Sequence, residues 1–187
     1  MFEELAKQIN PQQLEMAKII AEEFQLAGLP ANVAAGAIAN AWHESRLNPN
    51  AIGDNGQSVG LFQLYSQGAG AGMSVEERKD PRINARRIIE VVKKKWDKFA
   101  PIVGSVAQSA KVFTIYVEIP ANKEQKAEDR ATTARQFFPT DSVSYDGSGK
   151  MSPLLVALLF IVPIGSLGLA WYYYSVHKQK RLISHNL

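Results

Sequence analysis

Residues Ala34–Leu64 read AAGAIANAWHESRLNPNAIGDNGQSVGLFQL, and the two halves of this stretch obey different physics. The first half predicts a buried helix that starts near Pro30 and carries almost nothing but Ala, Gly, Val, Ile and Trp42. The acid in that apolar run is Glu44, in the last turn before Asn48-Pro49 stops the helix. A helix C-terminus presents partial negative charge and an apolar wall desolvates an anion, so both favour the protonated carboxyl. A carboxylic acid that keeps its proton near neutral pH is a candidate general acid. The second half, Leu47–Gly60, is rich in turn residues: Asn48-Pro49, Gly53-Asp54-Asn55-Gly56, Ser58 and Gly60. It predicts a short hairpin or tight loop folded back over the helix end. Leu61-Phe62-Gln63-Leu64 then opens a new apolar segment with one amide in it.

Three blocks in this stretch carry a resemblance. Glu44-Ser45, then Leu47-Asn48-Pro49-Asn50-Ala51, then Ser58-Val59-Gly60-Leu61-Phe62-Gln63 are similar to the E-S, N-P-x-A and S-x-G-L-x-Q signature of soluble lytic transglycosylases and goose-type lysozymes. The resemblance runs from about Pro30 to Phe138. It implies a lysozyme-like fold, peptidoglycan as substrate, Glu44 as catalytic acid, and Ser58 and Gln63 along the sugar groove. Asp80-Pro81-Arg82-Ile83-Asn84 matches a D-P-x-x-N element of the family. The family's A-Y-N element is absent, and FTIYVEIP at Phe113–Pro120 stands in its region. That segment resembles a phage-tail lysozyme variant in which Phe-x-x-x-x-Glu-x-Pro precedes a basic helix. This resemblance implies that Tyr116 and Glu118 take over part of the groove.

Composition narrows the alternatives. A chain of 187 residues suits one domain with additions. The net charge of +3 and pI of about 9.1 suit an anionic wall or membrane surface. No Arg/Lys stripe is interleaved with aromatics, so nucleic acid is not an expected partner. The absence of Cys excludes a disulfide framework and thiolate metal sites, and no His/Asp/Glu cluster has metalloprotease spacing. No metal and no cofactor are expected. The Gly-rich segment after Leu64, YSQGAGAGM, lacks the spacing of a phosphate loop and reads as a flexible loop beside the groove.

Helix starts are marked locally. Asn10-Pro11, Ser74-Val75-Glu76-Glu77, Asp80-Pro81 and Ser105–Gln108 are capping patterns. A first helix is expected over residues 1–9 with Phe2, Leu5 and Ile9 on one side, and a second that buries Leu14, Ala17, Ile20, Ala21 and Phe24 and ends at Gly28. The longest soluble helix is expected from Asp80, with Ala85, Ile88, Ile89, Val92, Trp96 and Phe99 inward and Lys93–Lys95 solvated. Lys123–Phe138 reads as a polar helix. His43, about 100° round the helix from Glu44, is expected to face elsewhere.

The C-terminal part changes character. TDSVSYDGSGK, residues 140–150, is a linker composition. Ser152–Tyr174 is an apolar run without a charge, long enough as a helix to span about 30 Å of hydrocarbon. Trp171–Tyr174 forms an aromatic belt, followed by His177, Lys178, Lys180 and Arg181. The expected fold class is mainly α, a lysozyme-like α+β domain with a small hairpin, plus one C-terminal transmembrane helix. The expected divisions are a catalytic domain at 1–139, a linker at 140–150, a single-pass membrane helix at 151–175 and a basic tail at 176–187.

The basic tail predicts a cytoplasmic C-terminus with the enzyme on the opposite, periplasmic side. MFEELAKQIN is acidic, and the stretch after it is broken by Glu and Lys, so no N-terminal secretory signal is expected. A phage particle reconciles the two. The protein would join the virion or host inner membrane, with other virion proteins as partners, and meet the wall on delivery.

Protonation of the glycosidic oxygen by Glu44 leaves two outcomes open. In a lytic transglycosylase the same carboxylate then deprotonates the muramic C6 hydroxyl, which closes an anhydro ring. A hydrolytic muramidase needs a second carboxylate, roughly 6.5–9.5 Å away for inversion. Asp54 is the candidate nearest in sequence, with Glu118 and Asp80 behind it; Asp54 sits in a turn tripeptide and Asp80 in a cap position, which favours the transglycosylase. A non-catalytic, glycan-binding structural membrane protein of a virion is the alternative from another class.

Overall fold

The computed structural model describes residues 2–102 and 104–139. The linker, apolar run and tail read from residues 140–187 lie outside these described residues; among the described residues no helix is long and apolar enough to cross a membrane. The described part is mainly helical: α1 (Phe2–Ala6), α2 (Pro11–Leu26), α3 (Ala31–Ser45), α4 (Val75–Lys79), α5 (Pro81–Lys94), α6 (Trp96–Phe99), α7 (Val106–Phe113) and α8 (Lys123–Phe137). A π-helical turn, Thr114–Glu118, extends α7.

Local chemistry sets the starts of α2, α4, α5 and α7. Asn10 and Ser74 form reciprocal capping boxes with Gln13 and Glu77. Asp80 accepts from the amides of Arg82 and Ile83, and Ser105 from that of Gln108. The helix expected to run from Asp80 to Phe99 breaks at Lys95 (φ −111°, ψ 18°). Helix α3 ends when Arg46 and Leu47 both turn left-handed (φ 55° and 56°), one residue before Asn48.

The core is built around α3, which is buried from Ala31 through Ala41. Its small side chains make it thin, so α2, α7 and α8 all close onto it. A Cβ on Gly36 would stand 2.7 Å from Ala110 N, closer than packed atoms tolerate. Phe24, Ile38, Leu61, Phe99 and Phe113 fill the space between, each fully buried. Phe113 stacks on Phe62 at 5.8 Å and meets Phe99 edge-on at 6.3 Å.

Where a hairpin was expected after α3, the chain makes three short antiparallel strands in the order β1 (Ile52–Gly53), β2 (Ser58–Val59), β3 (Leu64–Tyr65). Ile52 faces Val59, and Val59 faces Leu64. The β1–β2 turn is Asp54-Asn55-Gly56, all three at positive φ, as Asp, Asn and Gly tolerate best.

Two buried polar side chains hold this sheet on the helices. Arg78 donates from Nη1 to the carbonyls of Gln57 (2.5 Å) and Leu64 (3.0 Å). Asn84, in α5, accepts from Phe62 N–H at 3.1 Å and donates to the carbonyls of Arg78 (2.6 Å) and Val59 (3.3 Å). The Asn of the D-P-x-x-N element is thus a clamp on the loop that carries Gln63. Gly60, at φ 86°, passes so close beneath that a Cβ would lie 2.1 Å from Arg78 O.

Candidate active site

Glu44 sits in the last turn of α3 with a quarter of its side chain exposed. It faces a cleft of about 360 Å³, shared with Gln63, Tyr65, Phe113, Glu118 and Lys126. Gln63 is held there in a left-handed conformation (φ 45°). Its Nε2 donates to the carbonyls of Ala51 (3.1 Å) and Gly60 (3.0 Å). Ser45, the second residue of the E-S pair, points away from the cleft: its Oγ donates to Leu61 O at 2.8 Å and lies 3.1 Å from Ala41 O. It ties the helix end to the Gly60–Leu64 loop. The E-S and S-x-G-L-x-Q blocks therefore meet in space, with Glu44 and Gln63 as the pair that reaches the cleft.

The other candidates fall elsewhere. Ser58 is buried and donates to Asp54 across the β1–β2 turn rather than to Glu44. Asp54 is exposed, caught in that contact, and neither residue lines the cleft. Asp80 caps α5. Tyr116 is 38% exposed and does not line the cleft; Tyr65 does. His43 faces α8, where its Nε2 is 2.8 Å from Thr133 Oγ1. Burial, helped by Arg130 and Arg46, pushes its pKa down, so the ring is neutral at pH 7. Among the described residues no group of three or more His, Asp or Glu is placed to hold a metal ion.

One charged side chain beside Glu44 escaped the sequence reading. Arg130, in the helix read as polar, is buried, and its Nη2 donates to Glu44 Oε1 at 2.6 Å. The same nitrogen lies 2.9 Å from Glu118 Oε2. Glu44 is thus flanked by a guanidinium and a second carboxyl where the sequence predicted only an apolar wall. Ala127, Ala131 and Ala134, all buried, mark the inward stripe of α8, and Arg130 lies along it. That small-residue stripe was the available signal.

Glu118 is positioned by the π-helical turn, a device that redirects side chains near functional sites. The turn ends at Ile119 in a left-handed conformation (φ 49°), unusual for a β-branched residue. Burial first, then the nearby Glu44, push the Glu118 carboxyl up to about 8, against the pull of Arg130. Glu118 therefore keeps its proton at neutral pH.

A helical domain with a small antiparallel sheet beside its cleft, and an acid at the end of its central helix facing that cleft, has the build of a lysozyme-like domain. A family model described as phage tail lysozyme matches residues 15–140, and the chain belongs to that family. Membership makes peptidoglycan its substrate and glycosidase its class of enzyme. No curated protein and no solved structure matches the chain.

Proposed function

We propose that the domain is a peptidoglycan lytic transglycosylase that cleaves the β-1,4 bond between N-acetylmuramic acid and N-acetylglucosamine. The observation that carries this reading is that Glu44 and Gln63 face one cleft in a chain of the phage tail lysozyme family. Glu44 protonates the glycosidic oxygen, and Gln63 and Tyr65 line the glycan's path. The geometry favours the anhydro product over inverting hydrolysis. Glu44 and Glu118 are bridged by one nitrogen at 2.6 and 2.9 Å. They cannot stand as far apart as the roughly 6.5–9.5 Å that leaves room for an attacking water. Asp54, the other candidate base, is engaged by Ser58. Glu118 keeps its proton and so offers no free carboxylate for a retaining displacement, which leaves Glu44 to take the C6 hydroxyl proton itself.

The apolar run at 151–175 anchors this domain to a virion or host inner membrane with the catalytic part facing the periplasm. There it opens the wall locally during infection. This part of the reading is supported by the uncharged run, its aromatic belt and the basic tail. Product analysis tests the chemistry: anhydromuramic ends are expected, whereas reducing muramic ends would make the enzyme a muramidase. Glu44→Gln should abolish wall clearance while the protein still binds walls. A wild-type protein that binds walls and never clears them would instead be a glycan-binding structural component. A chain ending at Lys150 should lose its association with vesicles.

A further inference from the structure

Two carboxyl groups and one guanidinium meet at the head of the cleft, and the hydrogen bonds among them are unequal. Arg130 Nη2 directs its N–H at Glu44. It stands 2.9 Å from Glu118 Oε2 without hydrogen-bond geometry, and neither Glu118 oxygen accepts from any donor among the described residues. An anion in that position would be buried beside another acid, with a single guanidinium already committed to Glu44 to offset it. A neutral carboxyl avoids this, and it shares the Arg130 nitrogen with Glu44, its neighbour in the site.

We propose that Glu118 is the proton partner of Glu44: it stores the proton that Glu44 delivers to the glycosidic oxygen and recovers it after Glu44 has deprotonated the C6 hydroxyl. The proposal rests on the reading of Glu44 as the acid. In the first step the Glu118 proton moves to Glu44, and Glu44's proton goes to the bridging oxygen as its bond to C1 breaks and the alcohol leaves. Two carboxylates then face one guanidinium, which balances the added negative charge opposite the cationic sugar. In the second step the C6 hydroxyl gives its proton to Glu44 and its oxygen bonds to C1. Glu44 returns a proton to Glu118. The protein ends as it began, and no water is consumed. Glu118 acts through Glu44 and Arg130 orients both, so the two are positioning residues.

The charged surroundings of Glu118 are few. Glu44 from α3 and Arg130 from α8 act on it. Lys126, also from α8, lines the same cleft. His43 is turned to Thr133, and α5 presents Ile88 to the cleft. The Glu118 carboxyl, held at about 8 by burial and by Glu44, supplies a proton across the neutral range.

The test is the pH dependence of kcat/KM on wall glycan for the full chain and Glu118→Gln, together with infrared spectra of the protonated carboxyl. The alkaline limb of Glu118→Gln should move down by at least about one pH unit, because the proton stored on Glu118 is then missing. Glu118→Asp should restore part of the shift. An unmoved limb in a folded variant overturns the proposal. The infrared arm needs no activity: a carboxylic acid band at pH 7 should be present in wild type and absent in Glu118→Gln. If Glu118→Gln does not fold, the wild-type titration decides alone, and a missing band overturns the proposal. A Glu44→Gln enzyme that remains active would sink the reading of Glu44 instead, and the infrared result separates the two failures.

Discussion

Thr114 donates from Oγ1 to Asn40 Oδ1 at 2.8 Å, and both residues are fully buried. Asn40 lies one turn before Glu44, and Thr114 opens the π-helical turn that carries Glu118. Asn40 also donates to the carbonyls of Gly36 (2.7 Å) and Ala110 (3.1 Å), so one amide joins the helix of one acid to the segment of the other. Thr114→Val keeps the shape and leaves Asn40 Oδ1 without this donor. The variant should lose about 1–3 kcal/mol in urea unfolding, and kcat should fall because Glu118 is no longer held in register. Thr114→Ser should recover most of both. A Thr114→Val protein with wild-type stability and rate would show that the link positions nothing.

Asn84 makes a similar prediction on the opposite wall. Truncation to Ala leaves the Phe62 N–H and the Arg78 carbonyl buried without their present partners. Asn84→Ala should cost about 1–3 kcal/mol and raise KM, because the Gly60–Leu64 loop that carries Gln63 is freed. The readouts are the urea midpoint and the dependence of rate on glycan concentration. A variant with a normal KM would detach the D-P-x-x-N element from the groove.

What the sequence revealed and what it hid divide by distance along the chain. The caps at Asn10, Ser74, Asp80 and Ser105 were legible because each is satisfied within three residues. Glu44 and Gln63 were legible because a helix end and a loop motif lie close in sequence and fold back on each other. Arg130 was not, since the contact joins residues 86 apart and a buried Arg in a charged helix has the same local signature as an exposed one. Ser58 was assigned to the glycan, but its β-strand position points its hydroxyl across the turn to Asp54. The break at Lys95 also escaped, as no Pro or Gly marks it. There Trp96 and Phe99 stack at 6.2 Å in a separate short helix.

The thinness of α3 is testable at Gly36. Its added Cβ would meet Ala110 N at 2.7 Å and Ser109 C at 2.8 Å, both backbone atoms that cannot rotate away. Helix propensity alone would favour Ala over Gly by about 1 kcal/mol. Overpacking against backbone opposes it by about 1–3 kcal/mol or more. Gly36→Ala should therefore unfold at lower urea than wild type, despite the better helix former. A more stable variant would mean that α3 and α7 can separate without loss.

Glu23 and Glu118 are both buried acids, and they make stability depend on pH with opposite signs. Burial pushes Glu23 up, but hydrogen bonds from Arg86 (2.7 Å) and Arg82 (2.8 Å) outweigh it, so its pKa is lowered on folding. The unfolded chain then binds the proton more tightly, and the stability from Glu23 is lost as pH falls below its unfolded value near 4.5. For Glu118 the folded value, about 8, lies above the unfolded 4.5. The native state holds a proton that the unfolded state has released, so stability falls as pH rises between those values. The slope is at most about 1.4 kcal/mol per pH unit. Urea midpoints across this range check both. Glu23→Gln should flatten the acid limb and leave the neutral slope unchanged. Glu118→Gln should do the reverse, gaining stability over wild type steadily from pH 4.5 towards 8. A wild-type and Glu118→Gln difference that is constant across the range would mean that Glu118 carries no proton in the folded protein at neutral pH, and the shared-proton chemistry would fail with it.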